Sequence, residues 1–356
     1  GAEIFWKIDS SRQLNAAFNP DFGQVESDDV VVNFSASETF YSDKRPFFSE
    51  NHNLFNVQGS RFFYVINTRR IGASPDYNCS EDFPLQQELC EDSQKGANDI
   101  DAAFRYTQQG ENFDAGFLGA FETNEKFSEG KDFYAVRLRT KRDNLTVGYL
   151  GTYVNRPVID RTAKVNAMDF EYRPSSIRRL SGTALASDAN GKTGYGFNLG
   201  YGHDPSKNRH NGVGVFYVDE DLDLKDMGYL WRNNLLMISG RASIKQTDFS
   251  QDSIARARKY EIAYSLKSTS DFEKEPSGFS FSAENSFTNT SEIKAEVFYR
   301  TTGRDNLITR KSALSPFINM PKGYGVEFEY RGPSDDFLQY GFEVDRRQGS
   351  RYSAAL

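Results

Sequence analysis

The sequence predicts an all-β protein: a transmembrane antiparallel β-barrel of about 16 or more strands, with an internal plug-like segment. Three observations predict it. Apolar and polar residues alternate with period two through most of the chain, which marks strands with one apolar and one polar face. Aromatics are abundant, with Phe at 30 and Tyr at 19, while the mean hydropathy is only -0.65. That pairing excludes disorder, because disordered chains are poor in aromatics. No run approaches the roughly eighteen apolar residues of a transmembrane helix, so any crossing must be made by strands.

Two strands are expected before residue 20, near 1–9 and 12–18. The alternation resumes after residue 100. Tyr195, Phe197, Leu199 and Tyr201 alternate with Gly196, Asn198, Gly200 and Gly202. Tyr260, Ile262, Tyr264 and Leu266 alternate with polar or small residues, as do Ile293–Tyr299, Tyr324–Tyr330 and Leu338–Val344. Turn signals separate these runs: QQGEN, TKRDN, RPSS, DANGK, HDPSKN, TNTS and RGPSDD. The repeated unit is strand, short turn, strand. About fourteen strands follow residue 100, each near the roughly 9–11 residues that a tilted membrane-spanning strand needs.

Alternating strands also build soluble sandwiches. The barrel is favoured because many apolar series begin or end in Tyr or Phe, as interfacial girdles do, and because the other face carries Gly and both signs of charge, as a crowded lumen does. Closure also removes the exposed edges of a long meander. The chain reads as one domain, 1–356.

Residues 20–99 break the pattern and read as a plug or constriction inside that domain. Within them SDKRPFFSENHNLF, Ser42–Phe55, is too irregular for a strand and too aromatic for a solvated loop. Glu26, Asp28, Asp29, Glu38, Lys44, Arg45, Glu50, His52, Arg61, Arg69 and Arg70 mix both signs of charge. Charges withdrawn from water must pair, so they read as a network fixing the plug to the lumen wall. Arg137, Arg139, Lys267, Glu327, Glu329, Glu343 and Asp345 are expected on the opposite wall. The two cysteines, Cys79 and Cys90, share one short polar loop, which suggests a disulfide formed in an oxidising compartment.

The run NPDFGQVESDDVVVNFSASETFYSDKRPFFSENHNLF, Asn19–Phe55, with VINTRRIG at Val65–Gly72, resembles the signature of a bacterial outer-membrane β-barrel family. Its barrel domain, of unknown function, usually follows a family-9-type carbohydrate-binding module, and this chain covers the barrel part only. The chain departs from the family pattern at Asn51, where the family has Gly, and at 219–228, which lacks an Asn-Pro pair. Cys79 and Cys90 lie in an insertion. The resemblance implies an outer-membrane location in Gram-negative bacteria, with outer-membrane lipid and lipopolysaccharide around the barrel. It transfers no catalytic residue.

The residues themselves offer little chemistry. With 43 basic against 50 acidic residues, a net of -7, the chain lacks the basic excess of a nucleic-acid binder. His203 and His210 flank a turn with Asp204 and read as a solvated loop. His52 has no accompanying nucleophile motif. Asp219, Asp221 and Asp223 take the first, third and fifth positions of a calcium loop, but Leu224 and Leu230 stand where Gly and Glu are needed, so a solvated acidic turn is expected. No metal, cofactor or catalytic set is expected, and the protein reads as no enzyme. The expected role is a conduit for a solute, glycan or polypeptide, with protein partners possible at the rim. The alternative is a closed scaffold that anchors a surface complex; a hydrolase is disfavoured.

Overall fold

A computed structural model describes residues 1–20, 40–57, 62–77, 90, 97–124, 128–307 and 316–333, and the backbone of 341–347 and 353–355. It is 62% strand and 5% helix, so the fold is nearly all β, built on a large antiparallel sheet. No pairing that closes this sheet into a barrel is found among the described residues. No described helix is long and apolar enough to cross a membrane. The chain divides into two compact units: 1–172 with 181–198 and 218–233, and 173–180 with 199–217 and 234–356.

The first unit opens with β1 (Ala2–Lys7) and β2 (Arg12–Phe18). A short helix α1 (Pro46–Ser49), a 3-10 turn at His52–Phe55, the two-residue β3 (Phe63–Tyr64) and a 3-10 turn at Thr68–Arg70 follow. The long strands resume with β4 (Ile100–Gln109), β5 (Phe113–Glu122), β6 (Asp132–Arg142), β7 (Leu145–Arg156) and β8 (Arg161–Ser175). Their antiparallel order is β1-β2-β4-β5-β6-β7-β8. Strands β8, β9 (Arg178–Ala189), β10 (Lys192–Ser206) and β11 (Arg209–Val218) contribute residues to both units. The two-residue strand β12 (Tyr229–Leu230) pairs with β3.

The second unit runs β13 (Leu235–Gln246), β14 (Ala255–Ser268), β15 (Gly278–Phe287), β16 (Glu292–Arg300), β19 (Gly323–Arg331), β20 (Gly341–Arg347) and β21 (Ser353–Ala355), each antiparallel to the next. Between β16 and β19, β17 (Gly303–Asp305) and β18 (Ile318–Met320) form a small hairpin. Tight turns match their sequences. Asn190 at φ 51 and Gly191 at φ 80 make the two-residue hairpin turn between β9 and β10, as an Asn-Gly pair should.

Register separates the faces. In the first unit one face carries Trp6, Leu14, Tyr106, Phe117 and Val136 in successive strands. A row of rings crosses the strands on this face: Phe18–Phe104, Phe104–Phe121, Phe121–Tyr134 and Tyr134–Tyr153, with centroids 5.5, 6.4, 5.6 and 6.0 Å apart. Much of the face is exposed; Trp6 is 57% accessible and Met168 62%. In the second unit Tyr264, Phe279, Tyr299 and Tyr324 form one cross-strand row, and Ile262, Phe281, Val297 and Val326 the next. Its other face aligns Lys259, Glu284, Lys294 and Glu329. Exposed apolar faces backed by charged ones reverse the arrangement of a soluble sheet.

Candidate functional site

The site is the polar face of the first unit and the chain folded against it. Gly116 of β5 marks the contact. A Cβ there would lie 2.8 Å from the Phe55 ring and 3.0 Å from Leu54, so any larger residue would push these two side chains off the strand.

Two strand arginines hold this segment by its main chain. Arg105 of β4 donates to the carbonyls of Phe47 and Glu50, and to the Glu50 carboxylate at 2.7 Å. Gln13 and Asn15 of β2 donate to the same carboxylate at 2.9 Å. Arg137 of β6 donates to the carbonyls of Leu54 at 3.1 Å and Asn56 at 3.3 Å. Its two terminal nitrogens pair with Asp169 of β8, and both side chains are fully buried. Gly148 lies between them: a Cβ there would be 2.6 Å from both an Arg137 nitrogen and an Asp169 oxygen. Beside this pair Asp114 of β5, fully buried, takes Arg139 at 2.6 Å and Lys141 at 2.8 Å.

Further along the segment, Arg45 donates to the Ile71 carbonyl at 2.9 Å and the Thr68 carbonyl at 2.7 Å, and pairs with Asp43. Burial pushes the Asp43 carboxyl up, but hydrogen bonding to Arg45, helped by Thr68, outweighs it and holds the group below its ordinary range. His52, half-buried beside this pair, is pulled below its ordinary value by desolvation, which the Asp43 charge only partly opposes. The backbone N–H of Gly72 donates to Glu122 of β5 at 2.9 Å, and Lys131 donates to the Ser74 carbonyl at 2.8 Å.

Residues 219–231 also fold inward. Leu222, Leu224 and Met227 are buried, Asn67 donates its backbone N–H to the Met227 carbonyl at 2.6 Å, and Trp231 donates to the Phe62 carbonyl at 2.8 Å. Five charges tie this stretch to the first segment and the wall. Arg156 bridges Asp76 and Asp226, and Arg161 bridges Asp226 and Asp223. Burial raises the carboxyls of Asp76 and Asp226, and the arginines more than reverse it, so both titrate below the ordinary range. The solvated acidic turn expected at 219–228 is therefore corrected: its leucines are core and three of its aspartates are ion-paired, Asp221 with Lys192 and Asp223 and Asp226 with the arginines. Leu222, Leu224 and Met227 lie interleaved with the acids.

Of the expected network, Arg45 and Glu50 are tied in as described. Arg69 donates to the Ser42 carbonyl at 3.4 Å and lies over the Tyr41 ring, and Arg70 donates to the Gly228 carbonyl at 3.3 Å. Lys44 is exposed. Glu26, Asp28, Asp29, Glu38 and Arg61 lie outside the described residues, as do the side chains of Glu343 and Asp345. Cys90 is fully buried and the described residues hold no free cysteine; Cys79 lies outside them. His210 sits 3.1 Å from Asp204 in an exposed turn, and no group of three or more metal-ligating side chains occurs among the described residues. The sequence reading missed Asp114, Glu122 and Asp169, the strand carboxylates on which the arrangement depends.

A family model described as a domain of unknown function (DUF5916) matches residues 1–129. No curated protein matches the chain. The matched stretch runs from β1 through the inward segment to β5, and so includes Arg105, Glu122 and Gly116 but not Arg137 or Asp169.

Proposed function

We propose that the chain is a bacterial outer-membrane β-barrel that acts as a conduit for a solute, glycan or polypeptide. Its sheet closes around a lumen, and residues 40–76 with 219–231 plug that lumen. The observation that carries this reading is the reversal of faces: rings and aliphatic side chains exposed on one side, buried ion pairs on the other. Phe113 to Phe121 spans about 27 Å along β5, close to the ~25 Å apolar band of transmembrane barrels. The row from Phe18 to Tyr153 has the form of an interfacial girdle. On the inner side, the exposed part of the Asp76–Arg156–Asp226–Arg161 cluster is the place at which a plug held by ion pairs could be released.

A closed scaffold is the second reading, favoured by the complete burial of Arg137 and Asp169 behind the segment they hold. Single-channel conductance in a planar bilayer decides between the two. The conduit reading expects a closed intact chain, and stepwise conductance once residues 42–76 are deleted or once Asp76→Asn is combined with Asp226→Asn. Folded variants that stay silent would leave the scaffold.

A further inference from the structure

In the second unit, the end bearing the turns of β8–β9, β10–β11 and β13–β14 is basic. Two hydrogen bonds place these turns side by side: Asp204 N–H to the Ile177 carbonyl at 2.8 Å, and Lys245 N–H to the Asn208 carbonyl at 2.8 Å. Arg178, Arg179, Lys207, Arg209, Lys245 and Arg256 cluster there, all exposed. None of the six is in an ion pair among the described residues. In the first unit the strand arginines Arg105, Arg137, Arg139, Arg156 and Arg161 have carboxylate partners, while Arg142, Arg241 and Arg300 are in no ion pair among the described residues. The carboxylates at this end are Asp204, Asp248, Asp252 and Glu292; Asp204 is against His210 and Glu292 pairs with Arg331. The opposite end of the unit differs: Asp271 and Glu273 are exposed in the β14–β15 turn beside Lys274, and Arg304 pairs with Glu273.

The cluster also sits at the margin of the apolar face. Arg209 shares its strand face with Val213, and Tyr260, at the β14 end of that face, is two residues from Arg258, which lies over the Phe249 ring. Exposed apolar tips accompany the charges, Ile177 in one turn and Ile254, 72% accessible, in another. Cations at the margin of an apolar band, with aliphatic tips beside them, match a headgroup layer, where amphipathic side chains keep their charge at the phosphates. The β8–β9 and β10–β11 turns are two residues long and the β13–β14 connection eight; at the other end β9–β10 is also two residues, but β14–β15 takes nine and residues 219–234 join β11 to β13. The end with the shorter connections marks the periplasmic side of transmembrane barrels, whose leaflet is phospholipid.

We infer that this rim binds the phosphates of anionic phospholipid headgroups, and that it faces the phospholipid leaflet. The inference rests on the membrane-spanning reading. It adds the partner and the orientation.

The test reconstitutes the intact chain into vesicles of phosphatidylcholine, alone or with phosphatidylglycerol or lipid A, with and without millimolar inorganic phosphate, and reads retained lipid by native mass spectrometry. The comparison variant combines Arg178→Gln, Lys207→Gln, Arg209→Gln and Arg256→Gln, all at exposed positions that a folded sheet tolerates. Phosphatidylglycerol should be retained over phosphatidylcholine. The preference should weaken by about fivefold per charge removed and fall with added salt. Equal retention of both lipids by the intact chain would overturn the inference, as would an unchanged preference in the variant. Retention of lipid A but not phosphatidylglycerol would overturn the choice of leaflet, and full competition by millimolar inorganic phosphate would reduce the rim to a simple anion site. Failure to float with any vesicle would instead count against the membrane-spanning reading, so the two failures are distinguishable.

Discussion

Removing the Arg137 guanidinium should be among the most damaging single changes in the first unit. Arg137 and Asp169 are both fully buried, and Arg137 also satisfies the carbonyls of Leu54 and Asn56. Arg137→Ala leaves a buried carboxylate without its partner, which costs about 3–5 kcal/mol. The two carbonyls lose a charged donor as well, at about 1–2 kcal/mol in all, since the Asn56 contact is only part-buried. Local relaxation overlaps these terms, so the expected loss is about 4 kcal/mol. Arg137→Met with Asp169→Leu removes both charges and should recover most of the buried-charge penalty, because a well-packed apolar replacement of an ion pair is often neutral. The carbonyl anchors stay lost, so the double variant should remain about 1–2 kcal/mol below the parent. Gly148→Ala tests the same geometry without touching a charge, since its Cβ would fall between the paired groups. Urea titration of tryptophan fluorescence in reconstituted vesicles measures all three. A loss below about 1 kcal/mol for Arg137→Ala would refute the reasoning, because a surface ion pair loses no more than that.

Three more outcomes follow from the same geometry. Gly116→Val drives a side chain into Leu54 and Phe55 and should destabilise the docked segment by about 1–3 kcal/mol, seen as faster hydrogen exchange over 46–56 while the strands stay protected. Asp43, Asp76 and Asp226 all titrate below the ordinary carboxylate value of 3.8, so their contribution is full above that pH and is lost as the pH falls through their lower folded values. Protease susceptibility of residues 67–76 should therefore rise below about pH 4, and Asp226→Asn should be susceptible already at neutral pH. His52, held below its ordinary 6.5, should cost stability as the pH drops beneath that value, and His52→Gln should flatten the slope of stability between there and the acid limb.

The strands were legible because their signal is local. Tyr195–Tyr201 became part of β10, Tyr260–Leu266 part of β14, and Asn190-Gly191 the turn between β9 and β10. Each follows from residues two apart or from a single turn pair. The partners across the polar face were not legible in the same way. Arg137 and Asp169 are 32 positions apart, and their meeting depends on the stagger of β6, β7 and β8, which no local pattern encodes. A signal for Asp169 does exist: it continues the inward series Ala163, Val165, Ala167, where a lone carboxylate needs a buried cation. The inward fold of 219–231 was hidden for another reason. Alternating aspartates and leucines fit a solvated turn and a docked ribbon equally well until a receiving edge, here Phe63 and Tyr64, is known.

Arg105 and Arg137 grip four main-chain oxygens, those of Phe47, Glu50, Leu54 and Asn56, and along 46–56 the Glu50 carboxylate and the Phe47 ring join them. Such a clamp recognises the path of a backbone and is almost indifferent to the letters written on it. Ser49 and Asn53, both exposed within the gripped stretch, are therefore open to replacement. A reporter group or a short foreign peptide grafted there should be carried to the same place with the same two arginines holding it, so this face of the sheet can be re-equipped without redesigning its strands.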